Sequence, residues 1–273
     1  MLQVNKKIRE NESDFAQKRK VRIVMSTNIK ILGLSFSPRH GNSEIQLREA
    51  LMAAEELPGV ETEMYDIVGK KIEPCDSCYR CFKNATYEQS CPAFEVDHDC
   101  FEEMVQLVHK ADAIIIANPV YFMTVTAQLK AFMDRTMGVE ALGYCWRNKV
   151  CGFLTVAFDR NGGQEHTIRD MQTWAFMHDM IPVGVGPERP GNGIGGYLGA
   201  MACQGFPYPM TNSKPEGLSA IREDIVGMYA SKCVGWRVAD VTKVVKAGYA
   251  AMEQGETKWP KGSIRLDMVS KWD

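Results

Sequence analysis

Four cysteines, Cys75, Cys78, Cys81 and Cys91, stand in the run P-C-D-S-C-Y-R-C and, after nine further residues, C-P. Thiols at i, i+3 and i+6 can converge on one centre from a single tight turn. Thiolates held this close bind a metal or an inorganic cluster, or pair as disulfides. Zinc sites usually bring cysteines as two pairs, and three in C-x-x-C-x-x-C favour a cluster, with zinc or free thiols as the alternatives. Cys100 falls in an expected helix and is the reserve fourth ligand. Cys145, Cys151, Cys203 and Cys233 belong to no motif, and free cysteine is often simply buried.

The chain that must position these thiols has 273 residues, enough for one large domain with a real core or two small ones. Its 45% hydrophobic and 24% charged content is ordinary for a soluble globular protein. Lys+Arg 32 against Asp+Glu 34 gives no argument for nucleic acid or a membrane surface as partner. No apolar stretch is long enough to span a bilayer, and residues 1–20 lack the apolar middle of a secretory signal. The expectation is a cytoplasmic protein. Nine cysteines there speak for metal or redox use over a disulfide framework.

The elements alternate. Residues 21–26 are a candidate added edge strand, and 30–35 read as a buried strand ended by a Ser/Pro/Gly loop. Ser43 is the expected N-cap of a helix to Glu56, stopped by Pro58-Gly59. Residues 60–67 alternate as a second strand, and the cysteine loop follows over 72–96. Asp97 is the expected cap of a helix to Lys110. ADAIIIANPVYF (111–122) is the strongest strand, apolar on both faces as a central parallel strand requires. Helix over 126–137, strand over 149–158, helix over 165–178, strand over 180–186 and a long helix within 217–253 complete the order. About five strand–helix alternations predict an open doubly wound sheet, since the eight units of a barrel do not fit. The Gly/Pro-rich segment 187–216 is too long for a simple connection and reads as a lid or interface arm. Its GNGIGG (191–196) has no βαβ unit around it, so a dinucleotide site there is rejected.

Three loops at strand ends carry further chemistry. S-F-S-P-R-H-G-N-S (35–43) runs from a strand into a helix, where free N–H groups and the dipole suit a phosphate. Ser35, Ser37, Asn42 and Ser43 add donors, and Arg39 adds a charged fork. Pro119, Val120, Tyr121 and Phe122 form a rigid turn with flat apolar faces; ordinary packing is the competing use of these aromatics. In FDRNGGQEHT (158–167), Gly162 and Gly163 allow backbone N–H groups to approach a ligand edge.

Together, SPRxGNS, C-x-x-C-x-x-C, ADAIIIANPVYF, LKAFMDR and GGQE resemble the NADPH-dependent FMN reductase group of flavodoxin-like proteins and, within it, the iron–sulfur flavoproteins. The resemblance covers roughly residues 30–185. It implies a flavodoxin-like α/β fold: a doubly wound five-stranded parallel sheet with an inserted cysteine loop and a long C-terminal helix. It implies FMN, its phosphate held by Ser35, Ser37, Arg39, Asn42 and Ser43. Pro119, Val120, Tyr121 and Phe122 would line the ring, with Asp159, Gly162 and Gly163 at its polar edge. It implies a [4Fe–4S] cluster on Cys75, Cys78, Cys81 and Cys91, although the last gap is longer than the family's usual spacing.

The expected domain limits are an arm over 1–28, the FMN-binding domain over 29–255 and a tail over 256–273. The expected activity is that of a flavin- and cluster-dependent oxidoreductase. It would pass electrons from a reduced donor, NAD(P)H or ferredoxin, to a small acceptor such as a quinone. The resemblance implies a homodimer or homotetramer, which could bring one subunit's cluster to the next subunit's flavin, since the two sites leave different strands. Two alternatives stand beside it: a reductase without a cluster, and a non-catalytic electron carrier.

Overall fold

The structure, a computed structural model, describes residues 28–186, 196–204 and 220–253. Its strands are β1 (Ile29–Ser35), β2 (Val60–Asp66), β3 (Ala113–Pro119), β4 (Val150–Ala157), β5 (Ile181–Val183) and β6 (Ala200–Cys203). They pair in parallel in the order β2-β1-β3-β4-β5. That is the flavodoxin-type winding, with its switch point between β1 and β3. Ile114, Ile115 and Ile116 of β3 are all buried, because helices cover both faces of this central strand.

The sheet has five positions, as expected, but the fifth is filled twice. β5 pairs with Val150–Gly152 and β6 with Leu154–Ala157 of the same β4. β3 already occupies the other edge of β4 as far as Val156, so β6 must continue along the edge that β5 begins. Two expectations are therefore corrected. The strand placed over 180–186 is only Ile181–Val183, and residues 200–203, placed inside a long loop, form a strand. Ala200, Ala202 and Cys203 are small and buried, so they leave no strong strand signal. The rest of the 187–216 segment lies outside the described residues. So do the arm with its candidate strand at 21–26, the start of GNGIGG and the tail beyond Glu253.

The helices are α1 (Asn42–Glu55), α2 (Cys81–Asn84), α3 (Phe101–Lys110), α4 (Ala127–Arg135), α5 (Met137–Ala141), α6 (Gln164–Met177) and α7 (Ile225–Glu253). On one face, Leu47, Leu51, Val234 and Val238 of α1 and α7 pack on Ile31, Ile115 and Leu154. On the other, α3, α4 and α6 bring Met104, Phe132 and Met171 onto Leu34, Ile116 and Phe153. Three helix starts differ from expectation. Gly41, not Ser43, is the cap of α1, at φ 148, a conformation open to glycine and costly for other residues. Asp97 does not cap α3; Cys100 does, and Asp99 accepts the Phe101 N–H at 3.0 Å. α7 begins only at Ile225, where the Asp224 carboxylate accepts from Gly227 N at 3.0 Å and from Cys203 N at 2.8 Å, tying the helix to β6.

Trp146, before β4, centres the second face. It is fully buried, its ring 6.2 Å from Phe132 and 5.9 Å from Trp174, and its Nε1–H donates to His109 Nδ1 at 3.2 Å. Trp146→Ala is expected to lower stability by about 3–5 kcal/mol in urea unfolding, since it opens a cavity and orphans the imidazole. A loss under ~1 kcal/mol contradicts this packing. No helix among the described residues is long and apolar enough to cross a membrane.

Candidate functional site

Three loops meet at the carboxyl ends of β1, β3 and β4, the place where open α/β sheets bind ligands. The loop after β1 enters α1 at Gly41, which has no side chain with which to cap the helix. Ser37, Arg39, Asn42, Ser43 and Tyr121 line a small cavity of about 150 Å³ there, with Pro119 and Val120. A cavity with hydroxyls, a guanidinium and a helix N-terminus suits a phosphate. Of the residues expected at the phosphate, Ser35 is not brought into this cavity; it ends β1, and its carbonyl accepts from Ile67 N at 3.3 Å. Asn42 lines it but also serves the fold, its Nδ2 donating to Gln204 at 2.9 Å and its Oδ1 accepting from Ile221 N at 3.1 Å. His40 and Gln204 also line it and were not foreseen. Gln204 follows β6 and had no legible signal; His40 stands inside the SPRHGNS motif itself.

The loop after β3 is a tight two-residue hairpin. Tyr121 N donates to Thr124 O at 3.0 Å and Thr124 N to Tyr121 O at 3.1 Å, with Phe122 and Met123 at φ 46 and φ 71. Glycine and asparagine favour such a turn, and two bulky residues there cost of order 1–3 kcal/mol each. Phe122 nevertheless presents its whole side chain to solvent, 104% exposed, and Tyr121 is 41% exposed. An apolar ring held outward on a strained turn offers a stacking surface. Buried Asn118 and Thr126 brace the turn, Thr126 Oγ lying 2.8 Å from Asn118 Oδ1 and 3.2 Å from the carbonyl oxygen of Phe36 in the first loop. Sequence reasoning singled out neither, although the Asn-Pro pair and the N-cap threonine were visible.

In the loop after β4, Gly163 caps α6 at φ 102 and lies against Met123 of the second loop. Gly163 and Met123 line a neighbouring cavity of about 460 Å³. Phe122 lines a third, of about 620 Å³, between α4 and α6. Asp159 is exposed and its carbonyl holds Gln164 Nε2 at 2.8 Å, while Gln164 Oε1 is buried without a hydrogen-bond partner among the described residues. Asp159, Gly162 and Gly163 thus sit on the third loop as expected, but none lines the phosphate-sized cavity.

The cysteine loop leaves β2 and packs at the far end of α4. Ser77 and Tyr79 adopt φ 56 and φ 57 between the thiols, and Ser77 N donates to Cys75 Sγ at 3.4 Å. Cys75 and Cys78 are exposed, Cys81 is half-buried and Cys91 is buried. Burial pushes the Cys81 thiol up, and the nearby Cys91 and Cys75 push it further, so these three sulfurs share one neighbourhood. Arg80 adds a positive charge beside Cys78. Cys91 is fixed from two sides: its N–H donates to Glu102 Oε1 at 2.7 Å, and Arg135 Nε donates to its sulfur at 3.4 Å. Cys100 turns elsewhere, its thiol donating to Lys71 O at 3.2 Å. Among the described residues, no three His, Cys, Asp or Glu side chains close on a single ion position. None of the nine cysteines forms a disulfide. The donor set is four thiols, two on an open loop, a third at the start of α2 and the fourth held in place, which suits a soft-metal centre.

Known proteins bear on this arrangement. The profile of the NADPH-dependent FMN reductase family matches residues 29–186. An iron-sulfur flavoprotein of Methanocaldococcus jannaschii is 35% identical over 219 residues, 80% of this chain and 100% of that protein. One of Archaeoglobus fulgidus is 34% identical over 196 residues, 71% of this chain and 93% of its own. The solved structure of RosB with bound 8-demethyl-8-formylriboflavin-5'-phosphate superposes with a TM-score of 0.55 at 14% identity, over 87% of this chain and 90% of that one.

Proposed function

The chain belongs to the NADPH-dependent FMN reductase family and is a flavin-dependent oxidoreductase, and from that premise we propose that it carries FMN together with a [4Fe–4S] cluster. In this reading it passes electrons between a reduced donor, NAD(P)H or ferredoxin, and a small acceptor such as a quinone. One observation carries it: a single helix, α4, joins the two candidate sites. Thr126 caps its start at the strained flavin-side hairpin, and Arg135 at its end holds the Cys91 sulfur. Nine residues at ~1.5 Å each make that span about 13 Å. The names of the two archaeal relatives support the cluster.

The residues have these roles in the proposal. Ser37, Arg39, Ser43 and the open end of α1 hold the phosphate, with Asn42 keeping the wall in place and Ser35 ending the strand behind it. Tyr121 and Phe122, on the turn begun by Pro119 and Val120, cover the ring and exclude water from it. Asp159, Gly162 and Gly163 set the loop at its polar edge. Cys75, Cys78, Cys81 and Cys91 ligate the cluster. When bound, FMN supplies two-electron chemistry and the cluster exchanges electrons singly. A homodimer or homotetramer belongs to the proposal, supported by the exposed Met137, Phe176 and Met177 on α5 and α6. So does a cytoplasmic location, where thiols stay reduced.

NAD(P)H oxidation with a quinone or dye as acceptor tests the activity. The purified chain is expected to turn over without a protein partner, and near-zero turnover contradicts the enzymatic reading. In the same assay Arg39→Ala should weaken FMN affinity about tenfold while sparing the iron. That is the low end of ~1.5–3 kcal/mol for a charged hydrogen bond, because Arg39 is exposed. Unchanged FMN affinity would remove Arg39 from the site.

A further inference from the structure

Arg135 ends α4 and is buried, its guanidinium carbon 4.6 Å from the centre of the Phe94 ring and 4.1 Å from that of Phe101. Its Nη1 donates to Glu73 O at 3.3 Å and to the Asp99 carboxylate, and its Nε donates to Cys91 Sγ at 3.4 Å. The ion pair is buried at both ends, with 1% and 2% of the side chains exposed. Burying two charges costs several kcal/mol each, and apolar replacements of such pairs are often neutral or better. Stability alone therefore does not account for a guanidinium in this place. Its distinctive contact is with sulfur. Arg80, the cation beside Cys78, lies in solvent, where water and salt screen it.

We propose that Arg135 sets the reduction potential of the iron–sulfur cluster through Cys91, with Asp99 as its counterweight. The proposal rests on the reading that Cys75, Cys78, Cys81 and Cys91 hold a cluster. One electron taken from a donor adds one negative charge to a thiolate-bound cluster. A buried cation with an N–H on a ligand sulfur stabilises that reduced form more than the oxidised one, and so raises the potential. Asp99, bonded to the same guanidinium but not to the sulfur, lowers it. Glu102, which accepts from Cys91 N and Ser90 N, fixes the Cys91 backbone and adds no donor to the sulfur.

The two charges make opposite predictions, which a merely structural role does not. The test is an anaerobic potential titration of the full FMN-loaded chain, followed by the cluster's EPR signal, with iron and circular dichroism measured on each variant. Asp99→Asn keeps Arg135 and its packing, and should raise the one-electron potential by about tenfold in the equilibrium, ~59 mV. Arg135→Met in the Asp99→Asn background removes both members of the buried ion pair together, and should lower it at least as far from that of Asp99→Asn. The flavin potential should move in neither. Cluster potentials that stay together within twofold, or move the same way in both steps, overturn the assignment of Arg135. A wild-type chain without a cluster signal instead removes the underlying reading, and the proposal with it.

Discussion

Cys91→Ala will lose most of the protein's iron and keep its flavin, and Cys100→Ala will keep both. The two thiols are close in sequence and both buried, so spacing does not separate them. Their environments do. A metal ligand binds as the thiolate, so its sulfur cannot be spent as a hydrogen donor elsewhere. Cys91 has the buried Arg135 guanidinium 3.4 Å from its sulfur and stands close enough to Cys81 to raise that thiol. Cys100 has burial, then Asp99, pushing its thiol up to about 11, and its hydrogen is spent on the Lys71 carbonyl. Iron and flavin per chain, measured after anaerobic purification of each variant, decide the matter. Iron retained in Cys91→Ala and lost in Cys100→Ala would reverse the ligand assignment.

Gly163→Ala is expected to damage flavin binding more than any other single methyl group added at the site. A Cβ at Gly163 would stand 2.7 Å from Met123 Cα and 3.0 Å from Met123 O, both backbone atoms, at φ 102. The loops after β3 and β4 would have to part, and both flank the proposed ring position. Strain of ~1–3 kcal/mol at such a residue, spent on separating the loops, corresponds to roughly 5- to 150-fold weaker FMN binding. Gly69→Ala is the control. It has φ 72 with nothing within 4 Å of the added carbon, so it carries the backbone strain without the collision. It should lower stability by ~1–2 kcal/mol and leave FMN affinity unchanged. Equal FMN titration curves for Gly163→Ala and wild type would show that the two loops do not close on the flavin together.

Most of the sheet was legible because burial writes itself into long apolar runs. β3 announces its central place through Ile114–Ile116, and the loops after β1, β3 and β4 follow from strand ends followed by helix signals. What stayed hidden has physical causes. β6 is four residues long, and its small side chains carry no period, so neither it nor Gln204 was visible. Ser43 looked like a cap, but the chain turns two residues earlier at Gly41, and Ser43 is buried in the first turn of α1. Asp97 lost its capping role because the carboxylate that matters is Asp99, fixed by Arg135 from a distant helix. The left-handed Phe122–Met123 turn contradicts local preference, as strained sites do. Arg135 was read only as a letter in LKAFMDR; its meaning depends on Cys91, 44 positions away.

The central claim, one chain carrying both flavin and iron, meets its most direct test in purification without oxygen followed by quantification of FMN, iron and zinc. The account predicts about one FMN and about four irons per chain, with a brown-yellow spectrum and no stoichiometric zinc. Flavin with zinc or with no metal at all would contradict the cluster, and a colourless protein would contradict both halves of the claim.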